Sequence, residues 1–301
     1  MKTIKTDFPK RTMSTPSPYA NPPAFHSDDI PQSPPSEATF HIIPVPWETS
    51  VSYGAGTGDG PNAILHASTQ LEAFIDGSIP GNAGIHTTPP ISCEGNAAEI
   101  LARIRSATTE TLKLGKLPLL LGGEHAMTLG PAQAIKDTGI SFGVVQFDAH
   151  ADLRDSYQGN PHSHACVMKR IFDLDIPIFQ IGVRALSEAE AQLRKSANIG
   201  HIDADAIALS GFPENILPPD FPENIFITFD VDGLDPSIMP STGTPEPGGL
   251  TWYQALEGLQ NVMNGRNVIG ADVVELAPKP ESHASDFTAA KLVYKLMDLI
   301  L

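Results

Sequence analysis

The chain has 301 residues, 41% of them hydrophobic and 18% charged, which supplies apolar material for one full core and excludes a disordered chain. Its 19 Lys and Arg stand against 35 Asp and Glu, a formal net charge of −16, so nucleic-acid and anionic-membrane partners are not expected. Two cysteines, Cys93 and Cys166, in no metal-spaced pattern rule out a disulfide framework; with no secretory signal and no run near the ~18 apolar residues of a membrane span, a soluble cytoplasmic protein is expected.

The first forty residues carry eight of the 28 prolines, many Ser and Thr, and no hydrophobic periodicity. They read as an extended, flexible arm over residues 1–40, followed by one domain over residues 41–301. The arm is neutral, because Lys2, Lys5, Lys10 and Arg11 offset Asp7, Asp28, Asp29 and Glu37, so the acidity belongs to the domain.

From there short apolar runs alternate with longer helical stretches: 39–45, 117–123, 142–148, 177–183, 225–231 and 267–276. The runs are nearly continuous in apolar residues, as parallel strands covered on both faces require. Asp59-Gly60-Pro61 looks like a helix start with Pro in the first turn. The glycines from Gly54 to Gly58 could suggest a nucleotide loop but lack GxGxxG spacing. Ile100, Leu101 and Ile104 share a helical face, Ser187 with Glu190 and Thr251 with Gln254 have capping-box spacing, and a last helix is expected near 286–300. Strand–helix alternation predicts an α/β fold, a three-layer α/β/α sandwich on a mostly parallel sheet.

Ligands of such sheets bind beyond the carboxyl ends of the strands. Three strand ends carry polar groups there: Gly122-Gly123-Glu124-His125, Asp148-Ala149-His150-Ala151-Asp152, and Asp230-Val231-Asp232. Extended residues alternate faces, so Asp148, His150 and Asp152 can point one way, as can Asp230 and Asp232. With His125 they bring two imidazoles and four carboxylates to one crevice. Carboxylates so placed repel one another unless cations lie among them, and a single ion needs fewer ligands, so two metal ions are inferred. Oxygen-rich ligation with two imidazoles and no thiolate suits Mn²⁺, with Ni²⁺ or another divalent ion as alternatives. A metal pair of this kind activates water for hydrolysis. Any one of these residues alone would more often be a turn Asp or a satisfied core His.

Taken together, GGEHAMTLG, FDAHADLRD, SHACVMKR, FDVDGLDPSIMPSTGTPEPGGL and DVVELAP resemble the ureohydrolase family of arginases, agmatinases and relatives, from about residue 41 to the C-terminus and most closely in the bacterial agmatinase form. The resemblance implies an arginase-like fold and two Mn²⁺, one held by His125, Asp148, Asp152 and Asp230 and the other by His150, Asp148, Asp230 and Asp232. It implies attack of hydroxide on a guanidinium carbon, giving urea and an amine. Asp152 would orient the nucleophile, Glu275 would pair with the guanidinium, and His164 would carry a proton to the leaving amine. His162 competes for that last role, and without the resemblance Glu275 would read as a surface residue at a strand end. Glu124, where relatives often have Asp, is not a ligand position.

The resemblance further implies a small cationic guanidino substrate and a homo-oligomer, trimer or hexamer. The substrate expected is agmatine, giving putrescine; 4-guanidinobutyrate, arginine and guanidine are alternatives. Arg154 could meet a substrate carboxylate or pair with Asp155 or another acidic neighbour. A non-catalytic regulatory member would have lost a ligand or Glu275, and a phosphoesterase would need cations at the strand ends; the motifs fit neither.

Overall fold

A computed structural model describes residues 19–301. Its eight strands are β1 (Phe40–Val45), β2 (Ile85–Thr87), β3 (Leu117–Gly122), β4 (Phe142–Phe147), β5 (Ile178–Ile181), β6 (Gly200–Ile202), β7 (Asn224–Asp230) and β8 (Asn267–Val274). They form one sheet in the order β2-β1-β3-β8-β7-β4-β5-β6, and every pairing is parallel. The six expected runs are all strands. β2 and β6 were not foreseen: each has three residues and lies at a sheet edge, where a short strand with polar positions such as His86 and His201 suffices.

Alternate residues of the strands feed two separate cores, and this makes the three layers. Phe40 and Ile42 of β1, Val145 and Phe147 of β4, and Ile225, Ile227 and Phe229 of β7 pack with α1 (Gly60–Ser68), α7 (Trp252–Met263) and α8 (Ala284–Ile300). Ile43 and Val45, Leu120, Val144 and Phe226 pack on the other face with α2 (Ala97–Lys113), α3 (Leu129–Asp137) and α4 (Val167–Phe172). A strand buried on both sides leaves no face for polar alternation, which is why the runs read as continuous.

Helix ends follow local chemistry. Pro61 sits in the first turn of α1, and the expected capping boxes start α5 (Glu188–Ser196) at Ser187 and α7 at Thr251; a third, Asn96 with Glu99, starts α2.

The proline-rich segment differs from a flexible arm over residues 19–39; residues 1–18 lie outside the described part. Tyr19, Phe25 and Ile30 are buried in the core that contains α1 and α8. Phe25 N–H donates to Thr87 Oγ1 at 3.0 Å, and Thr87 N–H donates to Gln32 Oε1 at 2.8 Å, so this segment covers the exposed edge of β2. Three large apolar side chains anchor it although they show no period, because a strap needs anchors and not a repeating face.

Candidate metal centre and active site

The strand order places β3, β8, β7 and β4 side by side, and their carboxyl ends supply His125, Glu275, Asp230 with Asp232, and Asp148 to Asp152. His125 opens a single 3₁₀ turn, His125–Thr128, directly after β3. Its Nδ1 lies 3.1 Å from Asp148 Oδ2, 3.1 Å from Asp152 Oδ2 and 3.3 Å from Asp230 Oδ2. His150 Nδ1 lies 3.0 Å from Asp232 Oδ2 and 3.6 Å from Asp148 Oδ1. The two oxygens of Asp148 therefore face different imidazoles, and five of the six residues form two adjoining clusters able to hold metal, His125-Asp148-Asp230 and Asp148-His150-Asp232. Asp152 reaches the first through His125.

The donor set fits divalent cations on a direct observation. His125 Nδ1 is buried and close to three carboxylates, yet it makes no aligned hydrogen bond to any of them. Near neighbours that do not point hydrogens at one another are the arrangement expected of ligands converging on a shared ion.

Electrostatics agree. Burial and neighbouring carboxylates push Asp230 well above the ordinary carboxylate range, raise Asp232, and bring Asp152 up to about 7. Burial would lower His150, but Asp232 and Asp148 raise it to about 12, and His125 is likewise raised by its carboxylates against the effect of burial. Against its own burial, Asp148 is held below the usual range by both imidazoles. Buried carboxylates so close together demand positive charge among them.

A polar row beneath the centre was not foreseen. Gln180, Gln146, Thr228 and Asp272 occupy matching positions on β5, β4, β7 and β8, all buried, on the face covered by the His125–Thr128 turn. Gln146 Nε2 donates to Asp148 Oδ2 at 2.6 Å. His125 Nε2 meets Thr228 Oγ1 at 2.8 Å, and Thr228 and Thr128 hydroxyls donate to the two oxygens of Asp272 at 2.6 and 2.8 Å. With Thr228 committed as donor to Asp272, His125 carries its proton on Nε2 and turns the Nδ1 lone pair to the centre. The signal available in the sequence was one charged residue inside an otherwise apolar strand, Asp272.

Glu275 is 7% exposed, which removes the surface reading. Its Oε1 accepts the His125 backbone N–H at 2.7 Å, and it is absent from the residues lining the adjacent cavity. Glu275 and Asp152 hold φ values of 67° and 51°, left-handed backbone that costs a branched or long side chain about 1 kcal/mol or more and recurs at functional sites. Beside the clusters lies a cavity of about 370 Å³ whose lining includes His150, Asp152, His164, Tyr157, Arg154 and Glu246. His164 lines it and His162 does not. Burial, then the His125 and His150 charges, bring the His164 imidazole down to about 4. Arg154 lies over the Tyr157 ring, 5.2 Å from its centre, and 3.8 Å from Glu190, while Asp155 pairs with Arg170. The loop from Gly54 to Gly58 leads into α1 and serves Glu48, whose carboxylate accepts the Gly56 and Gly58 N–H groups at 3.0 and 2.8 Å.

Comparison with known proteins turns this geometry into an identification. The Arginase family model matches residues 38–298. The chain belongs to the arginase family. It is 38% identical over 273 residues to an N(1)-aminopropylagmatine ureohydrolase of Synechocystis sp., covering 87% of this chain and 89% of the relative. It is 32% identical to an agmatinase of Pyrococcus horikoshii, covering 87% and 92%. The crystal structure of the agmatine ureohydrolase of Thermoplasma volcanium superposes with a TM-score of 0.83 at 27% identity, covering 92% of this chain and 94% of that one. As an arginase-family ureohydrolase the protein is a hydrolase of carbon–nitrogen bonds in linear amidines. The fold is the arginase-like three-layer sandwich expected from the strand–helix alternation.

Proposed function

We propose that the chain cleaves a guanidino-alkylamine to urea and an amine at a dinuclear Mn²⁺ centre. The observation that carries this reading is Asp148, whose two oxygens serve two imidazole clusters at the edge of a cavity. His125, Asp148, Asp152 and Asp230 would hold one ion and His150, Asp148, Asp230 and Asp232 the other. When bound, the pair supplies a water acidic enough to act as nucleophile near neutral pH. Asp152 would accept a hydrogen bond from that water and orient it. Glu275 pairs with the guanidinium, a planar cation matched to a carboxylate. His164 delivers a proton to the departing nitrogen, which leaves as a neutral amine.

Among substrates, N(1)-aminopropylagmatine is favoured over agmatine. Three relatives named for it are 37–38% identical over 87–89% of the chain and a fourth is 32% identical, against 30–32% for several agmatinases. The cavity lining also includes Glu246, a carboxylate of the sign that an added ammonium requires. Loss of urea from this substrate leaves spermidine, whereas agmatine gives putrescine. Arginine is disfavoured because Arg154 is engaged by Tyr157 and Glu190. A cytoplasmic homo-oligomer, trimer or hexamer, completes the reading.

Urea release should be measured with N(1)-aminopropylagmatine, agmatine, arginine, 4-guanidinobutyrate and guanidine, each with Mn²⁺ and Ni²⁺. The highest kcat/KM is expected for N(1)-aminopropylagmatine with Mn²⁺. No urea from any substrate would sink the reading, and agmatine ahead would return it to the simpler amine.

A further inference from the structure

Glu124 stands beside His125 but points away from the metal centre, and it is fully buried. Its carboxylate accepts four hydrogen bonds: from Thr49 N–H at 3.1 Å, Thr49 Oγ1 at 3.1 Å, Ser50 N–H at 2.6 Å and Ser50 Oγ at 2.9 Å. Thr49 Oγ1 also accepts the Trp47 indole N–H at 3.0 Å, and since an ionised carboxylate has no hydrogen to give, the threonine hydroxyl donates to Glu124. Burial raises the Glu124 carboxyl while the Ser50 and Thr49 donors oppose that, and as a carboxylate surrounded by donors it accepts throughout.

Ser50 Oγ has two more neighbours. The His164 backbone N–H donates to it at 3.0 Å, and His164 Nδ1 lies 3.2 Å away. A hydroxyl has one hydrogen and two lone pairs. The hydrogen goes to the carboxylate, the nearer and stronger acceptor, because a bond to an ionised oxygen is roughly twice as strong as a neutral one. One lone pair takes the His164 backbone N–H, and the other is left for a hydrogen on Nδ1. Ser163 Oγ, the other hydroxyl nearby, is more distant at 3.5 Å.

We infer that Ser50, oriented by Glu124, is a positioning residue for His164: it holds the imidazole as the Nδ1–H tautomer and so presents Nε2 to the cavity. The inference rests on the reading of His164 as the proton carrier. Nε2 then takes up the proton that the attacking water loses, its lone pair becoming an N–H bond, and gives that proton to the leaving nitrogen as the bond breaks, while Nδ1–H stays on Ser50. Ser50 carries no mark in the sequence, and Glu124 reads there only as a position that is not a ligand.

Ser50→Ala removes only the hydroxyl, because both backbone N–H bonds to Glu124 survive. The test combines kinetics of the Mn²⁺-loaded chain with ¹⁵N-histidine spectra of the diamagnetic Zn²⁺-loaded chain, the His164 resonances being assigned by their absence in His164→Asn. In the parent, Nδ1 should be the protonated nitrogen. In Ser50→Ala the Nε2–H form should grow in, and kcat should fall roughly ten- to hundredfold, a part of the ~10²–10⁴ that a placed general acid supplies, with KM within about twofold and metal content unchanged. Ser50→Thr should restore the tautomer and most of kcat; Ser163→Ala should leave the tautomer as in the parent. An unchanged tautomer with kcat within twofold in Ser50→Ala overturns the inference, as does a tautomer change that follows Ser163→Ala instead. If His164→Asn turned over at the parent rate, the proton-carrier reading would fall, while the spectra would still decide whether Ser50 sets the tautomer.

Discussion

The two halves of the metal centre are built differently. The His125 side chain is 1% exposed, faces three carboxylates, and is fixed from behind by Thr228 and Asp272. The His150 side chain is 26% exposed, faces two carboxylates and lines the cavity, with its backbone N–H on Asp148 Oδ1 at 2.6 Å. The inner cluster is thus the more enclosed, reaching the cavity through Asp152, whereas the outer one opens to it through His150. In such a pair the enclosed half is expected to bind its ion more tightly and exchange it more slowly, because the surrounding shell controls both ligand orientation and water access.

Four variants or conditions can break or sharpen that contrast. Removing the shared ligand has the largest effect: Asp148→Asn should drop kcat by roughly three orders of magnitude or more and reduce bound metal at both sites, as measured by elemental analysis of the purified chain. If that variant held two ions per chain, the carboxylate would not be the link. Treatment with a chelator should next separate the halves, with one equivalent lost roughly tenfold faster than the other and His150→Asn abolishing the fast phase alone; a single phase for both ions would end the inner–outer distinction. Thr228→Val keeps the side-chain shape but removes the hydroxyl behind His125, so affinity should fall about 10- to 100-fold for the slowly exchanging ion only. Equal weakening at both sites by titration calorimetry would count against it.

The smallest effect concerns the loop that carries the outer cluster. Asp235 follows Asp232 and accepts the N–H groups of Ser237, Gly248 and Gly249 at 3.0, 2.9 and 3.0 Å. Its carboxyl is held down at about 2 by the Ser237 hydroxyl and these N–H groups. A folded value below the unfolded one, near 3.8, gives stability that is complete above pH ~4 and fades as the pH falls toward 2. Asp235→Ala should cost about 1 kcal/mol near neutrality, the shift being discounted for solvent screening, and the gap in melting temperature from the parent should narrow through that acid window. A gap independent of pH would mean that the carboxylate charge is not what holds the loop.

Much of the centre was legible because its residues sit where chain geometry constrains them. Asp148, His150 and Asp152 alternate along an extended segment, as do Asp230 and Asp232, and each set closes a strand too apolar to lie anywhere but in the interior. The supporting residues were harder to see. Thr228 and Gln146 are ordinary strand residues until the register of β4 on β7 and β7 on β8 lines them up with Asp272, and that register is a property of the assembled sheet. Glu124 looked like a neutral exchange beside a ligand, and only the return of Thr49 and Ser50 over it gives its carboxylate four donors. The short edge strands β2 and β6 and the packed segment at residues 19–39 escaped because three-residue strands and single apolar anchors leave no periodic trace.

By itself the sequence determined the layered α/β class, the six central strands, and the chemical character of their ends, since each follows from local hydrophobic pattern and the alternation of an extended chain. The tertiary structure decided which ends meet. β3 and β4 are consecutive in sequence yet not adjacent in the sheet; β7 and β8, made much later in the chain, insert between them and bring His125, Asp148 and Asp230 within hydrogen-bonding distance. Nothing local encodes that insertion. It exists only in the assembled sheet, and it places four buried carboxylates together where positive charge must lie among them.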